Sequence, residues 1–454
     1  MSGNPSWWLV KAGSVLATIV AAACTESDEV PPSILLVVVD TLRADHMGTY
    51  GYELPTTPCL DAMAAEGLVY ERAHATSSWT LPSMASLFSA RYASGHGSGV
   101  GRDEEGRLVS GDGWHEFRAL SPEVQTVAEA FRARGYATAA IVTNLLLTPK
   151  FGLDQGFDEW LHQGEATAGA VVDAVLAWFA SRPDGPYFTF VHLFDPHMPY
   201  NAPGESAGRF TSADSGGGQL PVDKPGKIRK RLKRLSPLEK RFIVHAYDEE
   251  VAYVDGELGR MFDALAEMGE LERTWVIFTS DHGEEFFEHG GFEHGHAMFE
   301  ELLHVPLWVR GPDLTPGRSA VPLSLVDLSR ALFDIAAGQP PATVFAELGS
   351  REPAPFMAEG TLYAKHQEAW FDWPYKLIRR AGRKSLLFDL EADPEEQAPL
   401  PTSEENIRML ADLLELQRLE TSRAPVPTIA EPDPETMQRL NELGYLGGED
   451  EEDE

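Results

Sequence analysis

Ser33–Asp40, SILLVVVD, is a run of apolar and β-branched residues that ends on a carboxylate. A strand with one wet face alternates apolar and polar residues; an unbroken run of this kind is covered on both faces, as in parallel sheets. Three further runs share the pattern: ATAAIVT (Ala137–Thr143), YFTFVHLF (Tyr187–Phe194) and WVIFTS (Trp275–Ser280). Helical stretches lie between them. Pro122–Tyr136 and Ala170–Arg182 are two, and a third from Tyr247 to about Leu271 repeats Val251, Val254, Leu258, Phe262 and Leu265 at helical spacing. Strands alternating with helices predict an α/β fold with a mostly parallel central sheet covered on both faces.

The residues that follow each strand carry the chemistry. The first run ends in Asp40 and the second in Asn144; the third carries His192, Asp195 and His197, and the fourth ends in Asp281 and His282. Ligands of open α/β sheets bind outside the carboxyl ends of the strands, so these groups are expected on one surface. Asp40, Asp281 and His282 suit a divalent metal such as Zn, Mn or Ca. The loop SDHGEEFFEHGGFEHGH (Ser280–His296) adds His289, His294 and His296 close by in sequence. Thr80 opens a helix start in SSWTLPSMASLFSAR (Ser77–Arg91). Alone it reads as an N-cap followed by a first-turn proline. Beside a metal, a hydroxyl at a helix N-terminus is also suited to attack a bound anionic ester, and the metal set favours that role.

The 454 residues carry 37 Lys and Arg against 71 Asp and Glu, a net charge of −34. Nucleic-acid binding needs a concentrated basic face, so nucleic acid is excluded as a partner. One segment opposes the trend: Lys224–Arg241, KPGKIRKRLKRLSPLEKR, holds nine cations in 18 residues. A solvated helical insertion or a rim that attracts anions would each explain it. At the N-terminus, Lys11 precedes the short apolar run Ala12–Cys24, too short to span a bilayer, which predicts an export signal. Small residues before Cys24 resemble a bacterial lipoprotein signal, making a membrane tether through lipidated Cys24 and an envelope location the expectation. Only Cys59 remains, so a disulfide framework is excluded and a small buried side chain is expected there.

Taken together, LLVVVDTLRADHMGTYGY, SWTLPSMASLFSARYASGHG, FVHLFDPHMPY, IFTSDHGEEFFEHGGFEHGHAMFEELLHVPLWVRGP and LLFDLEADPEE resemble the sulfatase family of the alkaline phosphatase superfamily. The resemblance covers nearly the whole mature chain. It implies an alkaline-phosphatase-like α/β sandwich with a smaller C-terminal α+β domain. The expected layout is a signal at 1–24, a linker at 25–32, a catalytic domain at 33–345 with the basic insertion at 224–241, a C-terminal subdomain at 346–446 and an acidic tail at 447–454. By the same resemblance Asp40, Thr80, Asp281 and His282 hold one divalent metal, with a second allowed. His197 contacts the substrate anion, and His296 assists the leaving group.

The departures from the family pattern bear on substrate. Where relatives that make formylglycine carry a C/S-x-P-x-R motif, this chain has Thr80, Leu81, Pro82, Ser83 and Met84. Oxidising threonine gives a ketone, so no formylglycine is expected. Thr41 replaces the second Asp of the usual pair, and Asn144 stands in the segment where a lysine and histidine are usual. A threonine ester must be broken by a second attack at the central atom, which favours phosphate, phosphodiester or phosphonate esters over sulfate. A phosphoethanolamine- or glycerophosphate-type transferase is one alternative and a non-catalytic metal-binding protein another. The sequence sets no expectation for oligomeric state.

Overall fold

The computed structural model describes residues 31–103, 107–111, 114–214, 220, 222, 225–363, 365–401 and 403–443. The expected export signal with Cys24 and the acidic tail at 447–454 lie outside the described residues. Nine strands build the central sheet: β1 (Ser33–Val39), β2 (Leu68–His74), β3 (Ala137–Val142), β4 (Glu159–His162), β5 (Tyr187–Leu193), β6 (Thr274–Ser280), β7 (His304–Arg310), β8 (Gly317–Ser319) and β9 (Leu323–Ser324). Their order is β8-β2-β7-β6-β1-β5-β3-β4, with β9 also on β2. The four apolar runs form the contiguous parallel block β6-β1-β5-β3. β7 and β2 continue the sheet antiparallel.

Eight helices matter for the site: α1 (Pro58–Ala65), α2 (Thr80–Ser89), α3 (Val127–Ala133), α4 (Ala168–Ser181), α5 (Pro225–Arg229), α6 (Pro237–Glu267), α7 (Leu325–Ala336) and α8 (Pro341–Leu348). Ile34, Leu36 and Val38 pack into one core with Leu81, Phe131 and Leu328 from α2, α3 and α7. Leu35, Val37 and Val39 face the opposite core with Leu60, Val171 and Val251 from α1, α4 and α6. Each of these β1 side chains is fully buried, worth about 1.5–3 kcal/mol apiece, which pins the strand and the Asp40 that follows it. α6 starts ten residues before the Tyr247 expected from periodicity. Its true start is a capping box between Ser236 and Glu239 with Pro237 in the first turn. The basic segment is therefore not one helical insertion: it spans α5, a 3₁₀ turn at Leu232–Arg234 and the first turn of α6.

The C-terminal part is an antiparallel sheet of β10 (Phe356–Glu359), β11 (Gln367–Asp372), β12 (Tyr375–Arg380) and β13 (Leu386–Asp389), followed by α9 (Glu404–Thr421). Among its contacts with the main body, two bear on the site. The Gly360 carbonyl, just past β10, accepts from Ser77 Oγ at 2.7 Å and Trp79 Nε1 at 3.0 Å, fixing the segment that leads into α2. Lys376 on β12 is fully buried and pairs with Glu300 at 2.8 Å and Glu396 at 2.9 Å. Cys59 corrects its expectation, for it is exposed at the second position of α1. Its backbone N–H and that of Leu60 are taken by the Asp255 carboxylate, which leaves the thiol on the outside of the turn. Among the described residues, no helix is long and apolar enough to cross a membrane.

Candidate active site

Parallel register brings the strand ends level. Val39 pairs with Ser280 on one side and Leu193 on the other, so Asp40 and Asp281 leave adjacent strands side by side. Asp40, Asp281 and His282 are fully buried, and each offers a ligand atom within 4.8 Å of the others. His282 Nε2 lies 3.7 Å from Asp40 Oδ1 and 3.4 Å from Asp281 Oδ2. Each remaining polar atom of the set is oriented by a partner. The Gly283 carbonyl accepts from His282 Nδ1 at 2.9 Å, leaving Nε2 with its lone pair. Asp281 Oδ1 accepts from the His282 and Thr41 backbone N–H groups at 3.0 and 3.3 Å, and Asp40 Oδ2 accepts from Asn144 Nδ2 at 2.7 Å.

Asp40 Oδ1 and Asp281 Oδ2 are the exceptions, because they are buried with no hydrogen-bond partner. Burial lifts both carboxyls above the usual range, and the Asp281 charge adds to the rise at Asp40. Two desolvated carboxylate oxygens facing an imidazole lone pair lack a cation, and an O, O, N donor set with a neighbouring hydroxyl fits a borderline divalent metal.

Thr80 is the first residue of α2, and Trp79 occupies the cap position with no side-chain capping bond. The cap expectation for Thr80 therefore does not hold. Its hydroxyl, fully buried, sits 3.3 Å from His282 Nε2 and accepts from Asn144 Nδ2 at 3.4 Å. Asn144 adopts φ +71, a left-handed value that asparagine tolerates, and its Oδ1 takes the Leu146 N–H. One amide thus ties the metal carboxylate to the threonine.

Two histidines close over this centre. His197 stacks on Phe194 at 4.4 Å and lies edge-on to His294 at 4.9 Å, and His294 lies 4.6 Å from the His282 ring. Burial holds both His197 and His294 well below the usual imidazole range. His294 Nδ1 bonds Glu284 at 2.9 Å, and Tyr200 donates to the other Glu284 oxygen at 3.1 Å. Burial pushes Glu284 up to about 7. His296 stands elsewhere: its Nε2 is engaged by Glu285 at 2.7 Å, so the geometry brings His294 rather than His296 against His282. Sequence reading had named His294 without a role and had passed over Glu284 and Tyr200; the acid two residues after His282 was the available signal.

Other strand-end residues do not join the set. His192 Nε2 is 3.8 Å behind Asp40, with burial pushing the imidazole down to about 3. Asp195 accepts from the Ala168 N–H at 2.6 Å, at the start of α4, and burial pushes it up to about 6.

Fold and strand-end chemistry together define the class: an ester hydrolase of the alkaline phosphatase superfamily. Within it the chain belongs to the Sulfatase family, whose profile matches residues 32–338. It is 25% identical over 423 residues to the uncharacterized sulfatase YidJ of Escherichia coli K12, covering 80% of this chain and 82% of that relative. It is 24% identical over 467 residues to an arylsulfatase of Clostridium perfringens, covering 82% and 91%. Among solved structures, the phosphonate monoester hydrolase of Agrobacterium radiobacter superposes with a TM-score of 0.63 at 18% identity, covering 86% of this chain and 96% of that one. A 2-O GAG sulfatase gives 0.67 at 16% identity, covering 87% and 92%. At these identities the structures share the fold.

Proposed function

We propose that this Sulfatase-family member hydrolyses anionic esters by double displacement with Thr80 as nucleophile, and that phosphate, phosphodiester or phosphonate esters are preferred over sulfate. Support comes from the Thr80 hydroxyl, buried at a helix N-terminus, released from capping, and 3.3 Å from a histidine of the metal set. Asp40, Asp281, His282 and Thr80 would hold a divalent metal, whose Lewis acidity when bound would favour the alkoxide form of the hydroxyl.

The chain's own residues do the rest. Asn144 Nδ2 holds Asp40 and Thr80 in one geometry. The N-terminal turn of α2 presents unpaired backbone N–H groups and the positive dipole end to the substrate oxygens. Thr80 Oγ1 releases its proton to solvent as the alkoxide forms, then bonds to phosphorus as the bond to the leaving alcohol oxygen breaks. We assign the leaving-group role to His294 rather than His296: an anionic substrate raises the proton affinity of His294, Glu284 balances its charge, and its proton passes to the departing oxygen. Water then attacks phosphorus, its proton passing to the now neutral His294, and the Thr80 Oγ1–phosphorus bond breaks to return the Thr80 alkoxide as the anion leaves. Threonine lacks the second hydroxyl by which a formylglycine hydrate expels sulfate through elimination, and this underlies the preference for phosphorus.

Wild type and Thr80→Ala are compared on aryl sulfate, phosphate monoester, phosphodiester and phosphonate esters, with an added alcohol to detect transfer. Phosphorus esters should turn over fastest, and Thr80→Ala should be inactive yet folded. Wild-type rates in Thr80→Ala would remove the nucleophile, a sulfate preference would reverse the substrate order, and alkylated product would make the protein a transferase.

A further inference from the structure

The basic segment has a built geometry that the ester chemistry does not use. Lys227, Lys230, Lys233 and Arg234 are exposed and, among the described residues, have no ion-pair partner, whereas Arg231 is taken up by Glu239 at 2.6 Å. In a chain with 71 acidic and 37 basic residues, free cations in sequence run against the odds. Many arginines elsewhere are claimed by carboxylates, as Arg182 is by Glu270, Arg310 by Glu66 and Arg318 by Glu71, and others by backbone carbonyls, as Arg209 is by Pro55.

The strip is also anchored at the catalytic rim. Ile228 and Leu235 are buried in the core beneath it. Arg229 forks onto Glu293 at 2.6 and 2.8 Å, and Glu293 directly precedes His294. Farther along, Lys240 Nζ sits 4.5 Å over the Phe287 ring, which stacks on Phe292. Arg229 and Lys240 therefore grip the 285–293 loop that leads into the site, while Lys227, Lys230, Lys233 and Arg234 stay exposed.

We infer that Lys227, Lys230, Lys233 and Arg234 form a docking track for a linear polyanion, a soluble polymer with closely spaced sulfate or phosphate groups, one of whose esters enters the catalytic centre. The entry step rests on the function proposed above; the docking does not. Seven steps at helical or 3₁₀ rises of 1.5–2 Å bound the track at about 14 Å, room for two or three anionic groups. A narrow chain can follow it while staying clear of the acidic body. A planar anionic surface cannot, because the rest of a protein of net charge −34 would come within the screening length of about 8 Å and repel it.

Heparin and long-chain polyphosphate are the probes, with phosphatidylserine vesicles as the planar comparison. Binding to the full-length protein is followed by fluorescence anisotropy for the polymers and cosedimentation for the vesicles. At least one polymer should bind, with affinity falling roughly tenfold or more between 50 and 200 mM NaCl. Combining Lys227→Ser, Lys230→Ser, Lys233→Ser and Arg234→Ser should weaken it at least tenfold more, with kcat/KM on a small aryl ester within about twofold of wild type and an unchanged melting temperature. Heparin alone would identify a sulfated chain, polyphosphate alone a phosphorylated one. Absence of polymer binding at low salt, equal binding by the quadruple variant, or vesicle binding that depends on these cations without polymer binding would each overturn the inference. The binding readouts do not use turnover, so they fail or hold independently of Thr80.

Discussion

The chain balances two of its interior carboxylate pairs differently: Asp40 with Asp281, both buried at the strand ends, and Glu396 with the partly buried Glu300. Glu300 and Glu396 share the Lys376 ammonium at 2.8 and 2.9 Å, and His74 lies 3.1 Å from Glu300. Asp40 and Asp281 face imidazoles only, and each keeps one oxygen with no partner. A carboxylate removed from water costs several kcal/mol unless its charge is met. In the first pair the counter-charge is part of the chain; in the second it must come from a solute. A third group, Glu285, Glu288 and Glu301, is close enough to hold a metal, yet its oxygens are answered by His296, Arg43 and His289. Nearness of ligand atoms alone therefore does not mark a candidate metal site; at Asp40, Asp281 and His282 it coincides with charge that no cation of the chain meets.

The largest effect should come from removing the unmet charge. Asp281→Asn should lower kcat/KM by at least three orders of magnitude, about 4 kcal/mol, and bring bound metal from one equivalent to near none by elemental analysis. In chelator it should melt no lower than wild type, since a desolvated charge has gone; full metal content in the variant would break the contrast. Next comes Lys376→Met, which strands Glu300 and Glu396 and should cost about 3–5 kcal/mol in denaturant unfolding, with metal content unchanged. A loss below about 1 kcal/mol would mean that the pair does not depend on its lysine. Adding Zn or Mn to chelated wild type at a hundred times its Kd should stabilise it by about 2.7 kcal/mol, and Asp281→Asn should not respond.

Acid sharpens the same contrast. Burial raises the Glu300 carboxyl, but Lys376 and His74 outweigh it and hold the group far below its ordinary value. A depressed carboxylate stabilises the fold above its unfolded pKa of about 4.3, and that stabilisation is lost as pH falls toward the folded value. Wild type should therefore lose stability below about pH 4.5 more steeply than Glu300→Gln; parallel curves would show that the ion pair is not what acid breaks. The smallest effect is expected at Glu288→Gln, within about 0.5 kcal/mol and with no change in bound metal.

Much of this was legible in the sequence wherever burial was total. The unbroken apolar runs gave the four parallel strands, and their terminal residues gave Asp40, Asp281 and His282. β2 escaped because LVYERAH mixes apolar residues with Glu71, Arg72 and His74, and Glu71 and His74 find their partners, Arg318 and Glu300, only in the folded chain. Lys376 was illegible for the same reason: a lone lysine in a strand signals exposure until two distant glutamates enclose it. His294 and His296 are two residues apart and chemically identical. Only the loop between Phe287 and Glu293, with positive φ at both ends, decides which turns inward.

The grip of Gly360 on Ser77 and Trp79 spans 283 and 281 residues of chain. At ribosomal rates of about 5–20 residues per second, the end that secures the threonine is made roughly 15–60 s after the threonine itself. A nascent chain thus carries Asp40, Asp281 and His282 before the clasp on the segment leading into α2 can close. Timing is built into the topology: this contact forms only late in synthesis, in whatever compartment the finished chain reaches.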